Sequence, residues 1–279
     1  MFTDKENREL LRQYKEYLAL VDYKTPDVFI NSAVNKKVLI ISSGDSTSKI
    51  LKYKDNLRNK FDIIICVNYS FKDFDDFIDY HIVIERTLGT EPKSVAKSLS
   101  KKNFRTDVHR IVSWNGIHLY DQKYNLYKTN RSNFNLNPDI RKYRYNGHEG
   151  LLSWKPRASL WSTGTVALSA MHFAGIIGAS DIYLIGNDLY FKSEFDHYYK
   201  DKAYRDEKEF SKIDKKHRVS IIDIEHKGKK VQTLGIFRDS AETLNELIPT
   251  LFKDINIYDF SDGLITTAIN LDIDKFMKE

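Results

Sequence analysis

The sequence predicts a doubly wound α/β fold, Rossmann-like, with a mostly parallel sheet, helices on both faces and a lid or insertion. Three observations support this prediction. Short runs of apolar, β-branched residues recur along the chain, helical segments alternate with them, and several of the runs end in polar residues. Open sheets of this kind bind their ligands beyond the carboxyl ends of the strands.

Composition limits the classes of protein to consider. Hydrophobic residues make up 41% of the 279 residues, which is enough for a substantial core. The net charge is +5, and the basic residues are scattered among nearly as many acids, which argues against a nucleic-acid partner. The single cysteine, Cys66, excludes a disulfide framework and a cysteine metal cluster.

The chain contains no continuous apolar run of the length that a membrane span needs, about 18 residues. Its first 20 residues have the pattern of a charged amphipathic helix rather than of a signal peptide. We therefore expect a cytoplasmic protein, with peripheral contact to a membrane surface as an alternative. We predict an N-terminal helical extension over residues 1–35 and an α/β nucleotide-sugar-binding domain over residues 36–279.

The order of elements follows from the positions of the apolar runs. Strands are predicted at residues 36–42, 62–67, 80–84, 108–114, 181–186 and 256–260, and an amphipathic helix at 237–252. Residues 120–156 are rich in Asn, Tyr, Lys and Arg and lack apolar periodicity, so we predict a lid-like insertion there. Residues 192–230 form a second polar stretch.

The segment from Ser162 to Tyr199 is the strongest functional candidate. Ser162 and Thr163 are expected to cap a buried helix whose first turn starts near Gly164. The strand at 181–186 follows, and beyond it lies a loop crowded with polar and aromatic residues. We predict a ligand site at the end of this strand.

Catalytic roles are predicted for three residues of that loop. Asp188 or His197 is suited to act as a general base, since the ordinary pKa of histidine, about 6.5, lies near working pH. Tyr190 is suited to donate to a leaving phosphate or to a sugar carboxylate. The alternative is that the tyrosines only pack the loop. A Mg ion held by Asp188 and nucleotide phosphates is a further option, although no metal-ligand spacing occurs.

Polar residues also follow the first three predicted strands. Ser43, Gly44 and Ser46 form a turn that leads into a helix, where backbone amides and hydroxyls suit phosphate oxygens. The alternative is an ordinary capped helix, because neither a GxGxxG motif nor a Walker loop is present. Asn68, Glu85 and Arg86 end the second and third strands, and we assign them to the same binding crevice. Glu85 and Arg86 could instead simply pair with each other.

These segments resemble those of Campylobacter-type bacterial sialyltransferases, which carry a GNGPS loop, a strand ending in Asn, a TSG turn and a Gly-x-Asp-x-Tyr motif. The counterparts here are the turn at residues 42–46, Asn68, residues 162–164 and residues 186–190. The chain is similar as well to the motility accessory factor family, which shares a domain with hydroxymethylpterin pyrophosphokinases. The phrase DYHIVIER at residues 79–86 and the segment at 164–191 carry that second resemblance.

The resemblance implies a sialyltransferase-like fold and a glycosyltransferase that moves a nonulosonic sugar from a CMP-activated donor to a glycan or protein hydroxyl. It places the nucleotide between the Gly44 turn, Asn68 and residues Thr163 and Gly164, and it requires no cofactor. Two departures stand out: Asp45 lies in the phosphate turn, and Ile236 occupies the position of the family's catalytic histidine. The alternatives are an ATP- and Mg-dependent pyrophosphokinase acting on a pterin-like alcohol, and a silent nucleotide-binding module.

Overall fold

The computed structural model describes residues 29–83, 104–113, 126–133, 159–162, 165–191 and 221–279. Eleven strands occur in these ranges. They are β1 (Lys37–Ile41), β2 (Ile63–Val67), β3 (Tyr80–Val83), β4 (His109–Ser113), β5 (Leu126–Asn133), β6 (Ser159–Ser162), β7 (Asp181–Ile185), β8 (Ile221–His226), β9 (Lys229–Leu234), β10 (Asn256–Asp259) and β11 (Ile269–Asn270).

Nine of these strands form one sheet in the order β11-β10-β7-β1-β2-β3-β4-β5-β6, and every neighbouring pair in it is parallel. From β1 the chain builds outwards to β6 in one direction, then returns to place β7, β10 and β11 on the other side of β1. The direction of winding therefore reverses between β1 and β7, which is the topological switch point of the sheet. This arrangement confirms the predicted doubly wound α/β fold.

Five α-helices lie in the described ranges: α1 (Thr47–Leu51), α2 (Phe71–Phe74), α3 (Ala167–Ile176), α4 (Gly235–Leu251) and α5 (Ile273–Lys278). Helices α3 and α4 pack on one face of the sheet, and α1, α2 and α5 pack on the other. The central strands are consequently buried on both sides. In β1, for example, Val38 and Ile40 belong to one core while Leu39 and Ile41 belong to the other, so the strand is continuously apolar.

The N-terminal boundary differs from the prediction. Residues 1–28 lie outside the described ranges, but Phe29 and Ala33 are buried in the core on the α3 face. The Phe29 ring makes edge contacts with Tyr80 and Phe173, at centroid distances of 6.0 and 5.4 Å. Residues 29–35 thus belong to the α/β domain, because Phe29 and Ala33 pack in its core and the Asn31 and Ala33 amides donate to the carbonyls of Ile176 and Ile177 at the end of α3.

The predicted insertion at residues 120–156 differs in part as well. Residues 126–133 form β5, which pairs with β4 and β6 within the main sheet. The sequence of this strand, LYKTNRSN, is mostly polar and lacks the apolar run that marks the central strands. The remaining residues of the predicted lid-like insertion, 120–125 and 134–156, lie outside the described ranges.

Several further elements were not predicted or begin elsewhere. Strands β8 and β9 form an antiparallel hairpin that starts within the second polar stretch and ends at Leu234, beyond it. Strand β11 and helix α5 follow the last predicted strand. Helix α3 begins at Ala167 with Val166 as its N-cap, three residues later than expected from the Ser162–Thr163 pair. Within the described residues, no helix has the length and apolar character required to cross a membrane.

Candidate functional site

The carboxyl ends of β1 and β7 are bonded directly to each other at the switch point. The Gly44 amide donates to the Gly186 carbonyl at 2.9 Å. The Ser46 amide and hydroxyl both donate to Asp188 Oδ2 at 3.0 Å, and the Gly186 amide donates to Ser46 Oγ at 3.0 Å. The two loops that sequence reasoning assigned to one site are therefore a single hydrogen-bonded unit, which we call the switch-point loops (residues 42–47 and 186–190).

Glycine is required where these loops approach each other. A Cβ atom on Gly44 would lie 2.6 Å from the Gly186 carbonyl oxygen and would also collide with the Asp188 carboxylate. Gly186 has φ of +76°, and a Cβ there would lie 2.7 Å from the Ser42 carbonyl oxygen. Gly44 is therefore required because two protein loops contact each other closely there. The sequence predicted instead that this glycine shapes a phosphate-binding turn.

Asp188 and Ser46 hold this contact together. Asp188 is only 2% exposed, and its Oδ2 accepts the two bonds from Ser46. The Ser46 amide and hydroxyl are consequently engaged with protein, contrary to the prediction that they receive phosphate oxygens. The geometry gives Asp188 a structural role in the loops, and its role as a general base stays a prediction.

Three side-chain donors at this edge of the sheet are shielded from solvent and lack a hydrogen-bond partner among the described residues: Ser43 Oγ, Asn187 Nδ2 and Thr165 Oγ1. Ser43 follows β1 and Asn187 follows β7. Thr165 precedes α3, whose C-terminus leads into β7 at the opposite edge of the sheet, so its N-terminus lies at the carboxyl edge. Asn187 is held by Ser42, whose hydroxyl donates to Asn187 Oδ1 at 2.9 Å. Unpartnered donors of this kind are uncommon in folded proteins and suit a ligand rich in acceptors.

A short turn at the end of β2 completes the central part of the site. Asn68 has φ of +49°, in the left-handed region that only a few per cent of non-glycine residues occupy. Ser70 fixes the turn to the neighbouring strand, because its fully buried hydroxyl donates to the Ile41 carbonyl at 2.7 Å and accepts from the Val67 amide at 3.0 Å. Asn68 is thereby held beside the end of β1.

Behind this turn lies a buried polar chain. The His81 Nδ1 atom is 2.8 Å from Arg110 Nη1, and His81 Nε2 is 2.7 Å from the Asn68 carbonyl oxygen. Arg110 also donates to Asp75 Oδ1 at 2.9 Å. Since arginine only donates, His81 Nδ1 accepts and His81 Nε2–H donates to Asn68. Burial, and secondarily the Arg110 charge, lower the pKa of His81 well below its ordinary value, so the ring is neutral.

The β8–β9 hairpin covers the loop that follows β7. The Thr233 hydroxyl donates to the carbonyl of Leu189, and the Phe191 amide donates to the Gln232 carbonyl at 2.8 Å. Leu189 is a buried residue with φ of +59°, so the hairpin braces an unfavourable backbone conformation. Tyr190 is partly buried, and its ring contacts that of His226 at a centroid distance of 5.3 Å.

The segment after β10 supports the switch-point loops from the other side. The Asn187 amide donates to Ser261 Oγ at 3.0 Å, and the Leu264 amide donates to the Asp188 carbonyl at 3.1 Å. Asp259 is fully buried and accepts from the Ser261 amide at 2.9 Å. Burial raises the pKa of Asp259 to about 6, against the lowering effect of its hydrogen bonds from Ser261.

A polar cleft of about 390 Å³ lies beside these loops. It is lined by Lys49 and Lys52 from α1 and its C-terminal end, Phe260 and Asp262 after β10, and residues 270–274. Lys52 pairs with Asp274 at 2.7 Å across one wall. The lining therefore carries two lysines, one of them paired, and three carboxylates, from Asp262, Asp272 and Asp274.

The structure brings some of the predicted site residues together and separates others. Ser43, Gly44, Ser46, Asp188, Tyr190 and Asn68 lie at or next to the switch point. Ser162 ends β6, the edge strand five positions from β1, so it lies further from the switch point than the other described members of the predicted set. Its assignment to the nucleotide site stays a prediction. The predicted residues Glu85, Arg86, Thr163, Gly164 and His197 lie outside the described ranges.

Sequence reasoning missed the buried chain of Asp75, His81 and Arg110. A signal for it was present: His81 and Arg110 are ionisable residues followed by apolar residues in two neighbouring strands, and they share a register position in the sheet. Ionisable residues are rarely fully buried without a partner, so this coincidence favours a contact. Asp75 had no comparable signal.

In sequence comparisons, no protein-family model and no curated protein matches the chain. Within the described ranges, no group of three or more His, Cys, Asp or Glu residues is placed to hold a metal ion.

Proposed function

We propose that this protein is a glycosyltransferase that binds a CMP-activated nonulosonic sugar at the β1–β7 switch point and transfers the sugar to a glycan or protein hydroxyl. The observation that carries the proposal is the set of unpartnered donors at the carboxyl edge: Ser43 Oγ, Asn187 Nδ2 and Thr165 Oγ1. The resemblance to bacterial sialyltransferases supports the choice of nucleotide sugar. The switch point supports the location, because ligands of open α/β sheets bind there.

The unpartnered donors suit a phosphorylated ligand. A buried donor without a partner costs about 1–3 kcal/mol, and an acceptor brought in by a ligand recovers that free energy. Phosphate oxygens and the carboxylate of a nonulosonic sugar are strong acceptors. Ser43 and Asn187 are attached to loops that are already bonded together, so little conformational freedom remains to be lost on binding.

In the proposed reaction, the bond between the anomeric carbon and the phosphate oxygen of the donor breaks, and CMP leaves with the electron pair. The acceptor oxygen forms the new bond to the anomeric carbon, and its proton passes to a base. Tyr190 is proposed to donate to the departing phosphate or the sugar carboxylate. Because Asp188 is engaged with Ser46, we favour His197 of the two predicted bases.

The first test is a thermal-shift measurement with CMP, CDP, UDP, ATP and GDP, each with and without Mg. We expect CMP to raise the melting temperature without metal, since a ligand that binds only the folded state stabilises it. A response to ATP with Mg alone would support the pyrophosphokinase instead. If no nucleotide raises the melting temperature, the result would support a catalytically silent module instead.

The site itself is tested by a pair of serine variants, one in the loop after β1 and one in the helix that follows it. Ser43→Ala removes a buried hydroxyl that has no protein partner among the described residues, so we expect a melting temperature no lower than that of the unaltered protein and CMP affinity lowered roughly tenfold, as for one lost hydrogen bond to a charged group. Ser48→Ala is the control, since its exposed hydroxyl donates to the Asp45 carbonyl. Equal CMP affinity in the two variants would contradict the location.

Turnover is tested by hydrolysis or transfer of a CMP-nonulosonate. His197→Ala is expected to lose most of the activity while it retains CMP binding, because general-base catalysis contributes typically 10²–10⁴-fold. Full turnover by this variant would remove His197 from the mechanism. CMP binding without turnover by the unaltered protein would contradict the transferase while leaving the binding site intact.

A further inference from the structure

The turn at the end of β2 contains one residue in the left-handed backbone region. Asn68 lies at φ of +49°, a conformation that Asn tolerates better than most residues with a side chain but that glycine adopts without cost. The turn is only three residues long, and its carbonyl at Asn68 accepts a 2.7 Å hydrogen bond from His81 Nε2. An unfavourable backbone persists only where the surrounding structure enforces it, and such positions cluster at functional sites.

The chain behind this turn is unusually costly to bury. Arg110 is fully buried, and Asp75 is 8% exposed. A buried ion pair contributes little net stability, because desolvation of the two charges offsets their attraction. His81 lies between Tyr80 and Ile82 in β3, and Arg110 precedes Ile111 and Val112 in β4, so both ionisable residues sit in strands of the buried sheet. Stability alone does not explain their presence.

Hydrogen bonds and ring contacts fix the members of this chain relative to one another. Asp75 accepts from Arg110 and also from the Arg105 amide, at 2.6 Å, which fixes the carboxylate. Arg110 then presents a donor to His81 Nδ1, and this contact forces the proton onto Nε2. The Phe71 ring packs against the imidazole at a centroid distance of 4.7 Å and limits its rotation. Nε2–H therefore points at the Asn68 carbonyl.

We propose that Asp75, Arg110 and His81 are positioning residues that lock Asn68 in its left-handed conformation and so pre-orient its carboxamide for the nucleoside part of the ligand. This inference rests on the proposed function for the identity of the ligand. A carboxamide both donates and accepts, which suits the edge of a base or the hydroxyls of a ribose. A side chain that is already oriented loses less conformational entropy on binding, and its contribution to affinity is correspondingly larger.

The backbone part of the proposal is tested without any ligand. Asn68→Ala and Asn68→Gly are compared in the unaltered protein and in His81→Phe, which keeps a ring but lacks both hydrogen bonds. With His81 present, we expect the Ala variant to melt about 2–4 °C below the Gly variant, because alanine is strained at positive φ. In the His81→Phe background the turn keeps its Ser70 bonds but loses the hydrogen bond to the Asn68 carbonyl, so the difference should shrink. A difference that persists unchanged overturns the proposal.

The ligand part is tested by measuring CMP affinity in the same four variants, in the unaltered protein and in His81→Phe alone. His81→Phe is expected to weaken binding roughly tenfold when Asn68 is present, and to have no further effect in the Asn68→Gly background. His81→Gln, which can both donate to Asn68 and accept from Arg110, should recover part of the loss. Equal effects of His81→Phe in both backgrounds would show that the chain does not act through Asn68, even though CMP still binds.

A measurement on the unaltered protein covers the case in which His81→Phe does not fold. Nitrogen-15 chemical shifts of the His81 ring report which nitrogen carries the proton. We expect a neutral ring protonated at Nε2 between pH 5 and 8. A ring protonated at Nδ1 would overturn the chain of contacts. Failure of CMP to bind the unaltered protein would contradict the proposed function alone, because the melting comparison and the tautomer do not depend on the nucleotide.

Discussion

At the scale of single residues, the site depends on places where the backbone comes unusually close to other groups. Gly44 is the clearest case, since a Cβ there would lie 2.6 Å from the Gly186 carbonyl oxygen and would push against Asp188. No positive φ is involved at this glycine. The requirement therefore comes from packing between the two loops and is invisible in the sequence around Gly44 alone.

We predict that Gly44→Ala lowers the free energy of unfolding by about 3 kcal/mol, through overpacking and loss of the Ser46–Asp188 bonds. Gly228→Ala is the matched control. Gly228 sits in the hairpin turn at φ of +72° with open space around it, so alanine there meets only conformational strain of about 1–2 kcal/mol. Urea denaturation of both variants gives the comparison, and a Gly44→Ala cost no greater than that of Gly228→Ala would contradict it.

At the scale of elements, the β8–β9 hairpin is the part that sequence reasoning placed least well. Strand β8 alternates between exposed and partly buried residues, β9 becomes buried only at its end, and most of the hairpin lies in what the sequence presents as a polar stretch. In the structure it braces the loop after β7 through Thr233 and Gln232. The left-handed backbone of Leu189 is the feature that this brace stabilises.

We predict that Thr233→Val lowers the free energy of unfolding by about 1–2 kcal/mol, because valine keeps the shape but leaves the Leu189 carbonyl without the Thr233 hydroxyl donor. Hydrogen exchange should also become faster at the Phe191 amide, which bonds to the hairpin. Thr250→Val serves as the control, since Thr250 lies on the exposed side of α4. Similar costs for both substitutions would argue against the brace.

At the scale of the whole molecule, the pH dependence of stability follows from three buried titratable groups. Burial lowers the pKa of His172 to about 3 and, together with Arg110, lowers that of His81 well below its ordinary value. Burial raises the pKa of Asp259 from 3.8 to about 6. Between about pH 4.5 and 6, unfolding lets both histidines take up protons, which destabilises the fold as pH falls. Asp259 acts in the opposite direction, because its folded form holds the proton more tightly.

We expect the free energy of unfolding to fall with acidification in this window, by about 1.4 kcal/mol per pH unit for each net proton taken up on unfolding. His172→Leu should reduce the slope of the free energy of unfolding against pH by the contribution of about one proton. Asp259→Asn should increase that slope by a comparable amount near pH 5. Urea denaturation from about pH 4.5 to 7 measures both slopes. Changes of the same sign in the two variants would contradict the assigned shifts.

The local pattern of the chain was sufficient for the strands at the centre of the sheet and for the ends of β1, β2 and β7, where polar residues follow apolar runs. It was insufficient for β5, whose polar residues hide its place in the sheet, and for the start of α3 at Ala167. The site was predicted in outline only. Its polar contacts join Gly44 to Gly186, Ser46 to Asp188, and His81 to Arg110, and the members of each pair are distant in the sequence.

What the sequence carried alone is the alternation of buried strands and helices and the polar residues that end the strands, because both depend on hydrophobic periodicity over a few neighbouring residues. What required the folded chain is the order of strands, the switch point between β1 and β7, and the division of polar residues into structural and unpartnered groups. Ser46 and Ser43 differ in neither residue type nor predicted position. They differ because the return of β7 beside β1 brings Asp188 to one of them and leaves the hydroxyl of the other without a partner among the described residues.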